Sequence, residues 1–308
     1  MQEKKNVRLL ISLIVLTLGT ALFFAAGFER KSEIDKSIFK IPDQTKIDHV
    51  VFESPKGKIE LKFDGGKWLV NNLEADKQRV KVFFATILQA EPKRKISTAQ
   101  QDSLIKQLGA NKIKVGFFEG QQVQKEFWVS GNGAKTETYF QLNDQESYLV
   151  TIPGYRVYVA SIFELPTNDW REKRIFNFNW QNFKSLNAGF QSDSKQNFTI
   201  SFRDKFFGIE GIDADTTKLN DYLDAVSLIG SERILTPEES KPYDSLFATA
   251  PSFQIEVQDI AKRSIILKVF RSNRKREAMP AKVNDEAILL SPQAVNAIDR
   301  KRGFFVRK

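Results

Sequence analysis

The first pattern along the chain is a long apolar run near the N-terminus. Residues 9–27 have the sequence LLISLIVLTLGTALFFAAG, nineteen residues without a charge, and basic residues flank the run. A bilayer core of about 30 Å needs roughly 20 apolar residues in a helix, so the run predicts one transmembrane helix. A cleaved signal peptide is the alternative, although its apolar region is usually about 7–15 residues long. We expect a retained anchor.

The flanks of this run bear on its orientation. The polar tail 1–8 resembles the first region of a secretory signal and favours a cytoplasmic N-terminus, whereas the numbers of Lys and Arg on the two sides do not decide. We therefore expect a single-pass protein of a bacterial inner membrane with its body in the periplasm. Residues 28–46 are charged and lack a clear period, which predicts a linker.

Beyond the linker, short strands and amphipathic helices follow one another in an order that occurs twice. Asp76 and Asp215, 139 positions apart, each precede apolar residues at i, i+3, i+4 and i+7, which predicts two N-capped helices. Alternating apolar positions and turn residues predict strands before and after each helix. A second, polar helix is expected in each copy, at 98–108 and 237–247.

The two copies predict the domain organisation and the fold class. About 280 residues follow the anchor, and this length favours two domains. The order of elements predicts an α+β fold, in which the transmembrane helix is followed by two tandem repeated α+β domains, 47–179 and 180–308, with mainly antiparallel sheets. Each copy is expected to end in a helix, at 154–164 and 292–299. A basic and aromatic segment follows, so that Arg171–Phe178 parallels Arg300–Lys308.

The composition restricts the possible partners and chemistry. The chain has no cysteine, which excludes disulfides, thiolate metal sites and Cys nucleophiles. Its net charge of +9 is suited to acidic polymers, anionic lipid head groups or nucleic acid. Because a body outside the cytoplasm does not meet nucleic acid, we expect no nucleic-acid partner.

Basic residues cluster in runs at predicted strand ends and turns, at 93–95, 271–276 and 300–302. One interpretation is a solvated turn, and the other is contact with anionic head groups or an acidic partner. The candidate contact residues are Arg271, Arg274, Lys275, Arg276, Arg300, Lys301 and Arg302. The run at 271–276 is predicted to lie exposed at the tip of a hairpin.

Residues that could carry catalysis or bind a metal are few. His49 is the only histidine, and we interpret it as an ordinary strand residue because it has no second histidine to share a metal. The segment from Asp213 to Asp224 weakly resembles a calcium loop, but position six is Lys218 instead of Gly, and a helix cap explains Asp215. The sequence contains no nucleophile elbow and no Gly-rich phosphate loop. We therefore expect neither an enzyme nor a cofactor.

Several segments together resemble a known family. After the apolar run come the strand pair IDHVVFESPKGKIELKFDGGKWLVN, a helix that follows an Asp, and the segment DWREKRIF. This pattern resembles a bacterial family with a domain of unknown function. Its members accompany ABC transporters of the gliding-motility type, and their auxiliary subunit, in Bacteroidetes and other bacteria. The most specific pieces, Gly66-Lys67-Trp68 and Asp169–Phe176, are structural, so the resemblance implies no catalytic residue.

These observations lead to one functional expectation and two alternatives. We expect a non-enzymatic, membrane-anchored envelope accessory protein that contacts the bilayer through residues 9–27 and a permease or auxiliary subunit of an ABC transporter through its tandem domains. The first alternative is a periplasmic carbohydrate- or peptidoglycan-binding module that uses Trp128 and Tyr139 as stacking platforms. A hydrolase that uses paired carboxylates is the second alternative.

Overall fold

A computed structural model describes most of the chain. The described residues are 2–27, 34–97, 99–100, 109–143, 146–176, 178, 181–203, 206–271 and 278–307. Within these ranges, the side chains of residues 2–5, 8–9, 22–27, 110, 143 and 203 are not described. The predictions for Arg274, Lys275 and Arg276, and most of the helix predicted at 98–108, therefore lie outside the described residues.

The N-terminal apolar run is helical, and α1 spans Gln2–Gly27. Large apolar side chains on different sides of this helix, among them Leu10, Val15 and Leu16, are 58–69% exposed. Among the described helices, none combines the length and the apolar character that identify a membrane span.

The rest of the chain is built on two antiparallel sheets, so the prediction of an α+β fold with mainly antiparallel sheets is confirmed. The first sheet contains β1 (His49–Ser54), β2 (Gly57–Asp64), β3 (Lys67–Val70), β4 (Leu73–Glu74), β5 (Glu91–Lys95), β6 (Ile113–Glu119), β7 (Gln122–Gly131), β8 (Thr138–Asn143) and β9 (Glu146–Thr151). The second sheet contains β10 (Phe183–Phe190), β11 (Phe198–Arg203), β12 (Phe206–Ile209), β13 (Arg233–Ile234), β14 (Phe253–Asp259), β15 (Ser264–Val269), β16 (Met279–Val283) and β17 (Glu286–Leu290).

Corresponding strands have the same order in the two sheets. The first sheet runs β4-β3-β2-β1-β6-β7-β8-β9-β5, and the second runs β12-β11-β10-β14-β15-β16-β17-β13. Within the described residues, β4 is the strand of the first sheet without a counterpart in the second. The predicted duplication itself stays a prediction, and superposition of the two halves is its test.

Two helices of equal length lie at corresponding places, and the predicted caps hold both of them. The helices of the body are α2 (Lys77–Gln89), α3 (Thr167–Trp170), α4 (Thr216–Leu228), α5 (Pro237–Ser240), α6 (Asp244–Phe247) and α7 (Pro292–Ile298). The Asp76 carboxylate accepts hydrogen bonds from two backbone N–H groups of the first turn of α2, at 2.8 and 3.0 Å. Asp215 does the same for α4, at 3.0 and 3.2 Å. These two caps confirm the predicted helix starts.

Two other predicted helices differ from the structure. The helix predicted at 154–164 is wrong, because only the 3-10 turn Val159–Ile162 forms there. Gly154, with φ of 81°, reverses the chain just before this segment. The helix predicted at 237–247 is divided into α5, a 3-10 turn and α6, because Pro242 lacks the N–H that a continuous helix needs.

Each sheet covers its own hydrophobic core. The first core extends from Phe39 to Trp170 and the second from Ile175 to Phe305. We call residues 34–172 the first unit and residues 173–307 the second unit. Phe39 is only 2% exposed and its ring lies 5.2–5.5 Å from those of Phe127, Phe140 and Tyr148. Part of the segment predicted as a linker therefore packs in the first core.

A fully buried aromatic residue closes each core at a corresponding place. The backbone N–H of Asp76 donates to the carbonyl of Trp170, and that of Asp215 donates to the carbonyl of Phe305, both at 2.8 Å. Trp170 and Phe305 are both 0% exposed. Trp170 thus corresponds to Phe305, so the predicted parallel between Arg171–Phe178 and Arg300–Lys308 is shifted by several residues.

The segment after Trp170 joins the two units. The guanidinium of Arg171 donates two hydrogen bonds to the carboxylate of Glu286, at 2.5 and 2.7 Å. The side-chain amide of Asn168 donates to the carbonyl of Ile234 at 3.2 Å. A two-pronged Arg–carboxylate pair has a defined geometry, so it orients this junction.

Candidate functional site

Four of the predicted contact residues lie at one end of the second sheet. Arg271 follows β15, whereas Arg300, Lys301 and Arg302 follow α7. Phe190 pairs with Phe253, and Phe253 pairs with Val269. The strands β10 and β15 therefore finish at the same end of the sheet. We call Arg271, Arg300, Lys301 and Arg302 the basic end.

Arg271 is exposed, as predicted, but a carboxylate holds its side chain. Its guanidinium donates a hydrogen bond to the carboxylate of Asp299. The backbone N–H of Arg271 donates to the hydroxyl of Ser252 at 3.1 Å. The contact with Asp299 connects the end of β15 to the end of α7 and brings the two predicted basic runs together in space. The contact with Ser252 connects the end of β15 to the start of β14.

Arg302 and Arg300 are positioned by different groups. One guanidinium nitrogen of Arg302 donates to the carbonyl of Glu210 at 2.7 Å. The guanidinium carbon of Arg300 lies 4.9 Å from the centre of the Phe304 ring, and the ammonium of Lys218 lies 5.5 Å from the same centre. The Phe304 ring therefore interacts with two cations.

Lys301 is exposed and lines a cleft of about 510 Å³ together with Arg271 and Asp299. Serine hydroxyls and the ring of Phe190 complete part of the lining. Two cations beside a single carboxylate leave the cleft basic, so it is suited to an acidic group of a partner. Contact by the basic end stays a prediction, and Arg274, Lys275 and Arg276 lie outside the described residues.

Only part of the basic end has a basic counterpart in the first unit. Lys135, which follows β7, pairs with Glu164 at 3.7 Å, as Arg271, which follows β15, pairs with Asp299. Because Trp170 corresponds to Phe305, the residues that correspond to 300–302 are Leu165, Pro166 and Thr167, none of which is charged. The composition of the two arginine-rich segments predicted a different alignment and concealed this difference. The buried aromatic residue of each unit, Trp170 or Phe305, gives the correct alignment.

The remaining sequence candidates have structural surroundings. His49 lies in β1, with its Nε2 atom 3.8 Å from a carboxylate oxygen of Glu60 and its ring 5.2 Å from that of Phe118. Asp215 caps α4. Across the described residues, no three His, Asp or Glu side chains form a group that could hold a metal ion.

The two proposed stacking platforms differ in their accessibility. Tyr139 is buried and its phenol donates to the Glu137 carboxylate at 2.6 Å. Burial, followed by this hydrogen bond, raises the pKa of Tyr139 to about 12. Trp128 is half-buried, with the ammonium groups of Lys112 and Lys114 each 5.9 Å from its ring. A sugar therefore cannot stack on Tyr139 in this arrangement.

Comparison with known proteins gives one family. The model of the family described as Domain of unknown function (DUF4340) matches residues 68–245, more than half of the chain. The matched region begins in β3 and ends in α6, so it includes parts of both units but none of the basic end. No curated protein and no solved structure gives a significant match.

Proposed function

The chain belongs to the DUF4340 family, and from this premise we propose that it is a non-enzymatic accessory protein anchored in a bacterial inner membrane. In this proposal α1 crosses the membrane once and the two units lie in the periplasm. The second unit contacts the permease or auxiliary subunit of an ABC transporter of the gliding-motility type. The resemblance of the sequence to families that accompany such transporters suggests the partner.

The observation that carries the anchor is the combination of composition and exposure in α1. The run 9–27 has no charge, and the described apolar side chains of α1, on all sides of the helix, are largely exposed. A helix that is apolar all round needs an apolar environment, and lipid supplies one. Intact-mass measurement of the membrane-extracted protein tests retention of the anchor, since a mature chain beginning near Phe28 would indicate a cleaved signal.

Binding without catalysis is supported by the surroundings of the carboxylates. Glu126 pairs with Lys114 at 2.9 Å, and Glu286 pairs with Arg171 at 2.5 Å. A general acid or base needs a carboxyl group in a setting that adjusts its pKa, usually an apolar one. Carboxylates in ion pairs on the surface are instead suited to solubility and to contacts between units.

Tandem duplication is part of the same proposal. Equal strand order, equal helix caps and equal closing residues support it. A duplicated scaffold can keep one copy for packing beside the membrane while the other acquires a binding surface. The basic end, whose residues Arg300, Lys301 and Arg302 have no basic counterpart in the first unit, is the surface that we assign to the transporter subunit.

Site-directed crosslinking in intact membranes tests the proposed contact. A photocrosslinking amino acid at Lys301 should capture a permease or auxiliary subunit that mass spectrometry identifies. The matched control is Lys184, an exposed lysine near the start of β10, at the opposite end of the same sheet. Equal capture from both positions, or capture of neither subunit, would contradict the proposal.

Charge reversal gives a second, quantitative readout. Lys301→Glu should weaken association with the captured subunit by about tenfold, and the loss should shrink at high salt because exposed charges are screened. Lys184→Glu, the same change at the other end of the sheet, should leave association unchanged. Both variants should unfold at the wild-type temperature, since exposed charges contribute little to stability.

A further inference from the structure

The second sheet carries a polar cleft on the face that is turned away from its core. Along β10, Leu186 and Ala188 point into the core, so Asn187 and Gly189 lie on the opposite face. The cleft measures about 520 Å³. Its polar lining consists of Asn187, Asn197, Thr199, Gln254, Glu256, Glu210 and Arg302.

Strand register assembles this lining from three neighbouring strands. Asn187 pairs with Thr199 on β11 and with Glu256 on β14, so the three side chains form one row across the sheet. Gly189 and Gln254, the next pair on the same face, extend the cleft along β10. Residues far apart in the sequence thus present amide, hydroxyl and carboxylate groups side by side.

Hydrogen bonds orient the groups of this row. The Thr199 hydroxyl donates to the side-chain oxygen of Asn187 at 2.9 Å, and the Asn187 amide lies 3.4 Å from one carboxylate oxygen of Glu256. The Ser264 hydroxyl donates to the other carboxylate oxygen of Glu256 at 2.5 Å. Side chains held in this way lose little further freedom when a ligand binds, which favours affinity.

Gly189 keeps the floor of the cleft open. A Cβ atom at this position would lie 3.4 Å from Cγ of Gln254, so any side chain would occupy the space beside that amide. Glycine in a strand interior weakens the strand and often marks a place where a ligand approaches the backbone closely. Gly189, which leaves the floor open, lies directly beside the row of hydrogen-bonded side chains on the same face of β10.

We propose that the polar cleft binds a short, uncharged stretch of polysaccharide. Amide and hydroxyl groups offer donors and acceptors together, and the carboxylate adds acceptors, which matches the neighbouring hydroxyls of a sugar. The volume lies within the range of about 300–1,000 Å³ that is usual for small-ligand sites. Glu210 and Glu256 outnumber Arg302, so the cleft disfavours acidic polymers.

The corresponding face of the first unit is built differently. There Lys58 pairs with Glu60 at 2.6 Å, and Lys114 pairs with Glu126 at 2.9 Å. Lys–Glu ion pairs cover this face, whereas hydrogen-bonded amide, hydroxyl and carboxylate groups and a glycine form the cleft of the second unit. The proposed glycan site is therefore specific to the second unit, and Arg302 is the residue that it shares with the basic end.

Oligosaccharide titration of the full-length protein in lipid nanodiscs tests the proposal. The probes are tetrasaccharides of glucose, N-acetylglucosamine and mannose, with calorimetric detection up to about 10 mM, where weak binding is still measurable. At least one probe should bind. Asn187→Ala and Gly189→Val should each weaken that binding by at least about tenfold, because each removes or blocks part of the row.

Controls separate loss of the site from loss of folding. Gly208→Val, on β12, is the matched glycine control, because a Cβ atom there has open space around it and Gly208 does not line the cleft. This variant should bind as the wild type does. Thr199→Val keeps the shape of the side chain, suits a strand, and should also weaken binding. Failure of every probe, or undiminished binding by Asn187→Ala and Thr199→Val, would overturn the proposal. Preference for an uncharged tetrapeptide over all sugars would do the same.

Discussion

The first and second units share a scaffold but differ in the surfaces that they present. Their strand order, capped helices and closing aromatic residues correspond. The exposed face of the first sheet carries ion pairs such as Lys114–Glu126, whereas that of the second carries the polar cleft and, at one end, the basic end. The difference teaches that packing constrains the buried positions of both units, while their exposed positions can differ.

The residues that follow the two closing aromatic residues show the same combination of shared backbone and different side chains. Trp170 closes the first core, and the next residue, Arg171, binds Glu286 of the second unit. Phe305 closes the second core in the same way, and its next residue, Val306, bridges to Ala214 as Arg171 bridges to Ala75. The backbone after the closing residue is therefore used alike in the two units, and the side chain of Arg171 adds the contact between them.

The largest expected effect comes from removing the closing residues. Trp170 packs against the rings of Phe52 and Phe83, and Phe305 against those of Phe198 and Tyr222. Trp170→Ala and Phe305→Ala should each lower the free energy of unfolding by about 3–5 kcal/mol, because a large cavity forms in each core. Denaturant titration measures both values.

Phe304 supplies the control for this comparison. It neighbours Phe305 but is 41% exposed, so Phe304→Ala should cost about 1 kcal/mol or less, mainly through its cation contacts. Phe305→Ala could lower the unfolding free energy as little as Phe304→Ala while Trp170→Ala lowers it strongly. That result would show that Phe305 and Trp170 do not have equivalent roles.

The helix caps should give a smaller and equal effect in both units. Asp76→Ala and Asp215→Ala each remove two hydrogen bonds to the first helical turn, so each should lower the unfolding free energy by about 1 kcal/mol. The Asn variants, which can still cap, should retain most of the stability. Hydrogen exchange of the first-turn amides locates the effect. Faster exchange in only one of the two helices would show that the two caps do not contribute equally to stability.

Two buried tyrosines should respond differently to the loss of their hydroxyl groups, with changes of about 1 kcal/mol or less. Tyr139→Phe loses the hydrogen bond to Glu137 and should cost about 1 kcal/mol. The buried hydroxyl of Tyr222 has no hydrogen-bond partner among the described residues, so Tyr222→Phe should be neutral or slightly stabilising. Thermal unfolding of the two variants measures the difference, and equal losses would argue against it.

Titration with alkali sharpens the same comparison. Folding raises the pKa of Tyr139 from 10.0 to about 12, with burial as the main cause. Its contribution to stability is therefore fully present below pH 10 and is lost as the pH rises towards 12. Ultraviolet absorbance should show one phenol that titrates near pH 12 in the wild type and is missing in Tyr139→Phe.

Much of the fold could be predicted from local patterns. Strands were predicted before and after each amphipathic helix and are found there, and both caps were predicted from an Asp before an amphipathic period. Local patterns failed at 154–164, where Gly154 and the following segment prefer a turn to a helix. Phe39 was missed because a single aromatic residue in a charged segment has no period, although it completes the first core.

The candidate sites depended much less on local pattern. Both basic runs were found in the sequence. They come close together only because strand pairing places the end of β10, the start of β14 and the end of β15 at the same end of the sheet. The polar cleft was not predicted at all. Asn187, Thr199 and Glu256 are unremarkable in the sequence and become a row only through cross-strand register.

The sequence by itself determined the apolar N-terminal helix, the α+β class and the two capped helices, because each depends on residues within a few positions of one another. Tertiary structure alone decided which aromatic residue closes each core, where the two units meet and which polar side chains share a cleft. Those features depend on contacts between residues tens of positions apart, and strand register, which no local pattern encodes completely, sets those contacts.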